Sequence, residues 1–181
     1  MNKIATVSRK FRILFQILFY LTPLTLFIFW ITFHTPYDFF NKLGITVPIM
    51  QGGTITVNGL TRILGFIVSM LPGSIFMYCL HQLARLLSNY EKGQIFIMDN
   101  INRYRKLGYA LFAWVFCRAL IYEALISLVL SFQNTPPHKK FIMVGLSSFD
   151  LIALVTGGVI LLISWVMKEA HQISKDQELT I

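Results

Sequence analysis

The chain has 181 residues, 55% of them hydrophobic and only 13% charged, with a mean hydropathy of +0.63. A soluble domain carries roughly 25% charged residues and a disordered chain is charge-rich, so both classes are excluded. The composition is that of an integral membrane protein, in which the net charge of +8 points to basic helix flanks rather than to a nucleic-acid site.

Four apolar segments follow one another, at about 11–33, 60–87, 109–132 and 141–167. Each reaches the ~20 residues that carry a helix across a bilayer. The first is longer than the apolar region of a signal peptide and no small-x-small cleavage site follows it, so it is read as a retained span. The expected fold is a single all-α membrane domain of four transmembrane helices. Pro23 and Pro72 fall inside the first two spans, and Pro72-Gly73 is expected to kink the second. Ala153 and Gly157 form a small-xxx-small step in the fourth, a signature of helix contact within one chain or in a homo-oligomer. Cys79 and Cys117 lie in apolar stretches without Cys-x-x-Cys spacing and are expected to be small packing residues.

The segments between the spans set the orientation. Eleven of the 16 basic residues fall in three places: the first twelve residues, the loop 88–108 with adjoining Arg85, and the tail 168–181. Only Lys42, Lys139 and Lys140 fall in the other two loops, with Arg62 at the mouth of span two. The positive-inside rule therefore places both termini in the cytoplasm. Trp30, Tyr37, Tyr90, Tyr109 and Trp165 stand near span ends, as an aromatic belt requires. In the first outer loop, Ile45 to Val47 and Thr54 to Val57 are β-prone and flank Gln51-Gly52-Gly53, which reads as a short β-hairpin with Pro48 at an edge.

Four charges fall within the spans: Arg62, Arg118, Glu123 and Asp150. A charge at mid-bilayer costs about 2.5–3.5 kcal/mol on insertion scales, so these residues are expected to face one another as a polar cluster. At 3.6 residues per turn Arg118 and Glu123 lie about 140° apart and are poorly placed to pair within their own helix. Asp150, nine residues past Phe141, is expected to lie deep in span four at the level of Glu123. The cluster reads either as an ion-pair network fixing helix register or as an ion path.

Catalytic and metal patterns are lacking. There is no phosphate loop, dinucleotide fingerprint or His-Glu-x-x-His, and His34, His81, His138 and His171 are scattered over different segments. Neither an enzyme nor a cofactor or metal is expected.

The inner loop is the most informative stretch. Gly93 suits a left-handed turn closing span two. Asp99 suits the cap of a short helix that runs into span three and carries Ile101, Tyr104 and Leu107, which could lie along the anionic inner leaflet. Tyr90, Lys92, Gly93 and Phe96 match a Tyr-x-Lys-Gly-x-x-Phe pattern. Asn100, Arg103, Arg105 and Gly108 match Asn-x-x-Arg-x-Arg-x-x-Gly, and the tail closes on Glu178, Leu179, Thr180 and Ile181. In these stretches the chain resembles a bacterial four-span family known as domain of unknown function 2975, departing from it at Ile97 and Ala170. The resemblance implies a multi-pass protein of the bacterial inner membrane without established activity. Its genes often neighbour one for a small helix-turn-helix regulator. By analogy it implies a regulatory protein whose loop and tail contact that cytoplasmic partner, with no direct contact to nucleic acid. A small transporter or channel using the intramembrane charges is the alternative.

Overall fold

The computed structural model describes residues 3–33, 35–38, 57–134 and 146–178, without the side chains of 130–134, 174 and 176–178. The described residues form helices and turns, and no strand occurs among them. Helix α1 covers Lys3–Thr32, α2 Gly59–Glu91 and α3 Met98–Phe116. A π-helical turn, Cys117–Tyr122, joins α3 to α4, Glu123–Asn134, without a break, and α5 covers Ser148–Glu178. The expected outer-loop hairpin falls mostly on 39–56, outside the described residues.

Four spans are long and apolar enough to cross a membrane: α1, α2, the run Met98–Val129, and Ser148–Ile173. At most 28% of the residues in the most apolar stretch of any span are buried within the protein. Along α5, Leu151, Ile152, Val155, Val159, Leu162 and Val166 are all exposed. An apolar surface of that extent is stable only against lipid, so the chain is a multi-pass membrane protein.

The helix ends follow from local chemistry. The freed carbonyls near the end of α1, Trp30 O and Ile31 O, accept from the Arg62 guanidinium, the first at 2.9 Å. Helix α2 closes in a Schellman motif, with Gln94 N–H donating to Asn89 O and Gly93 N–H to Tyr90 O, both at 3.0 Å. This needs a residue at positive φ, and Gly93 takes it at +76°. Helix α5 opens on half of a capping box, since the Ser147 N–H and hydroxyl both donate to Asp150 Oδ2, at 2.6 and 2.8 Å.

Helical structure begins at Met98 and runs on into span three, as expected, so residues 98–108 are its first turns. The aliphatic pattern explains this, because Ile101 and Leu107 are buried. Asp99 lies within the first turn instead of capping it. Pro72 and Gly73 lie inside α2, which continues on both sides of them. The glycine serves close approach: a Cβ there would come within 2.9 Å of Leu26 Cδ1.

The chain divides into two compact units. The first comprises Met1–Tyr20, Ile75–Val115 and Ser147–Ile181. Its core is Cys79, Leu107 and Ala110, against which Ile75, Leu83, Leu111 and Ile160 pack. Here α3 and α5 cross at glycines: a Cβ on Gly108 would lie 3.1 Å from Gly157 O, and one on Gly157 would lie 3.3 Å from Gly108 O. The small step in span four is thus a contact within the chain, with Gly108 as its counterpart. The second unit comprises Leu21–Ser74 and Phe116–Leu146. Its core is Trp30, Phe33 and Ile126, flanked by Phe29, Phe66, Val68 and Tyr122. Cys79 and Cys117 are both free and buried.

Candidate functional site

The turn between spans two and three, in the first unit, is built by polar side chains. Asn100 is fully buried, and its amide nitrogen donates to Gln94 O at 2.7 Å and Ile95 O at 2.8 Å. Its oxygen accepts from the Asn89 amide at 2.7 Å, which also donates to Asp99 Oδ2 at 2.9 Å. Arg103 closes the chain of bonds, donating from Nε to Asp99 at 2.8 Å and from a terminal nitrogen to Gln82 at 3.1 Å. The Tyr90 and Tyr104 hydroxyls lie 2.7 Å apart. Two arginines of α1 reach the same corner, Arg12 at 3.3 Å and Arg9 at 4.0 Å from Glu91.

This arrangement divides the sequence pattern by role. Gly93, Asn100, Arg103 and Gly108 shape the turn and the helix crossing, and Tyr90 ties α2 to α3. Asn100 therefore has no surface to offer a partner. Lys92 and Phe96 face outward, Phe96 with 67% of its surface exposed. Arg105 is also exposed, its guanidinium held by Asn102 at 2.8 Å. Glu178 ends α5, while Leu179 and Thr180 lie outside the described residues.

In the second unit, the four-charge expectation meets a π turn. Arg118 pairs with Glu123 at 3.0 Å, both side chains about one-fifth exposed. The pairing corrects the expectation that these two are poorly placed to pair within their helix. The reason is local geometry: the Glu123 N–H donates to Arg118 O, five residues back, so the widened turn brings i and i+5 onto one face. Ser127 bonds back to Glu123 O at 2.6 Å. Arg62, in the same unit, serves the end of α1 as described above.

Asp150 belongs to the first unit and is completely buried. It is the third residue of α5, which begins at Ser148 rather than near Phe141 among the described residues. Hydropathy carries the apolar run back to Phe141, whereas the described helix starts where Ser147 and Asp150 form their box. The structure thus brings Arg118 and Glu123 together and gives Arg62 and Asp150 work at helix ends.

Sequence reasoning misplaced Trp30. It is a core residue, 1% exposed, rather than part of an interfacial belt. Its indole N–H donates to Ser69 Oγ at 2.9 Å, and Tyr122 also bonds Ser69. The ring fills the space that the missing side chain of Gly65 leaves, where a Cβ would come within 2.3 Å. The Gly65-x-x-x-Ser69 step in span two was the signal for it, a small-xxx-small pattern that accepts a large neighbour. Tyr37, Tyr109 and Trp165 are exposed. His81 is exposed and stacks near Phe19, with ring centroids 6.3 Å apart. Among the described residues no group of three or more His, Cys, Asp or Glu is placed to hold a metal.

No curated protein and no solved structure matches the chain. A family model does: the one described as protein of unknown function (DUF2975) matches residues 45–181, which takes in spans two to four and the turn built around Asn100. The match covers well over half of the chain, and the protein is a member of the DUF2975 family.

Proposed function

We propose that the protein is a non-enzymatic, regulatory protein of the bacterial inner membrane. In this reading both termini are cytoplasmic, and the turn after span two, with the tail after α5, engages a cytoplasmic protein partner. The observation that carries the reading is the exposed Phe96 on a turn held by four interlinked polar side chains. A large apolar side chain displayed on preorganised backbone has little ordering entropy left to lose on binding, which suits an interface anchor. Lys92, exposed on the same turn, adds a charge that selects an acidic partner surface. The partner class that the family resemblance suggests is a small helix-turn-helix regulator.

The test uses the full chain in lipid nanodiscs as bait for the regulator encoded beside its gene. The expected result is retention by the wild type and about tenfold weaker retention by Phe96→Ala and by Lys92→Glu, with thermal unfolding unchanged. Undiminished binding by both variants, and by a chain lacking Glu178 to Ile181, would remove the reading.

A small transporter or channel is the second reading, favoured by the π turn that carries the Arg118–Glu123 pair. Such turns recur at functional sites, and intramembrane ion pairs line ion paths. Proteoliposomes should then show ion or proton flux that Glu123→Gln abolishes. Absence of flux in the wild type counts against this reading alone.

A further inference from the structure

A cavity of about 570 Å3 opens between α3 and α5 in the first unit. Its floor includes Gly158, and Leu161, Leu162 and Trp165 form one wall. The neighbouring glycines divide the labour. Gly157 is packed against Gly108, whereas a Cβ on Gly158 would meet nothing within 4 Å, leaving a notch in the helix surface. Leu162 and Trp165 are exposed, so the notch faces outward into the zone that lipid covers.

Two cations line this groove, Arg105 from α3 and Lys168 from α5, and no carboxylate does among the described residues. The helices run antiparallel, since Gly108 meets Gly157 and Leu161 while Phe112, one turn later, meets Gly157. Side chains on a helix lean toward its N-terminus. Arg105 therefore leans toward the start of α3, where it meets Asn102, and Lys168 leans back toward Trp165, which directs both cations along the groove. From Gly158 to Lys168 the groove runs about 15 Å along α5, and Leu161, Leu162 and Trp165 supply its apolar surface beside Asn102 and Ser164. A second cavity, of about 290 Å3, lies between α1 and α2 and also holds arginines, but there Glu91 already takes up the charge of Arg12.

We propose that the α3–α5 groove binds an anionic phospholipid, its headgroup phosphate on Arg105 and Lys168 and one acyl chain laid over Gly158, Leu161 and Leu162. Charge complementarity selects the headgroup, because a zwitterionic lipid carries a positive group that the two cations repel. Basic pockets between membrane helices bind anionic headgroups in this way. This site is separate from the partner surface at Phe96 and does not depend on it.

The experiment is native mass spectrometry of the full chain released from nanodiscs containing equal phosphatidylglycerol and phosphatidylcholine. The wild type should retain phosphatidylglycerol in preference, on the order of 30-fold for two cations near the surface. Arg105→Gln with Lys168→Gln should bring the two lipids to parity, while Lys3→Gln with Lys10→Gln, basic residues outside the groove, should not. Gly158→Leu starts from a Cβ that meets nothing, projects into the notch, and should reduce retained lipid with unfolding unchanged. Equal retention of both lipids by the wild type would overturn the proposal. So would a preference that survives the double substitution, or displacement of the lipid by inorganic phosphate.

Discussion

Asn100 shows how one side chain can decide a turn. Its amide meets two backbone carbonyls and one side-chain amide in a buried setting, so its removal leaves all three short of a partner. Asn100→Ala should cost about 2 kcal/mol, read as a lower midpoint in denaturant titration of the micellar protein. Asn100→Asp should cost more, since a carboxylate would face two carbonyl oxygens. Gly93 is the second such residue, and Gly93→Ala should cost about 1 kcal/mol in the same titration because of its positive φ. An unchanged midpoint in the alanine variant would mean that the turn relaxes to negative φ. Gly93 was legible in the sequence, because a glycine after a long apolar run implies a left-handed closure. The work of Asn100 was not, because its partners are backbone carbonyls five and six residues away across a turn whose path had first to be known.

The third span illustrates what an element adds to its residues. A regular α-helix keeps Arg118 and Glu123 on different faces, and a single widened turn brings them together. Removing one member of a buried pair is far costlier than replacing both, because the survivor is left charged and unpaired. Arg118→Met should thus destabilise by about 3 kcal/mol, and Arg118→Met with Glu123→Leu should recover most of that loss. Two equal losses would show that the pair is not the interaction that matters. Helix crossing gives a second contrast between adjacent positions. Gly108→Leu must push Leu161 aside and press on the backbone of Gly157, costing about 1–3 kcal/mol, whereas Gly158→Leu enters open space and should leave unfolding unchanged. Ala153-x-x-x-Gly157 marked the contact in the sequence, but which of two successive glycines packs depends on the rotation of α5, and that is set by its neighbour.

At the scale of the whole molecule, the excess of basic residues on three segments leads to an orientation that labelling can check. Cys79 and Cys117 are buried, so they supply little background to a membrane-impermeant thiol reagent. Lys3→Cys and Lys175→Cys should both be labelled in inverted membrane vesicles and protected in intact spheroplasts. Labelling of either in spheroplasts would refute the placement of both ends in the cytoplasm. By itself the sequence determined that the protein crosses a membrane, that it does so with four helices, and that a glycine turn follows the second. These properties follow from quantities that add along the chain, apolar area per window and chain length against bilayer thickness. Tertiary structure alone decided what the buried polar and aromatic groups do: Trp30 fills the gap at Gly65, Asp150 caps a helix, Arg62 holds the end of another, and Arg118 finds Glu123. A partner depends on the angle at which a side chain leaves its helix and on where that helix begins. Both are settled by capping and packing between elements, which hydropathy does not record.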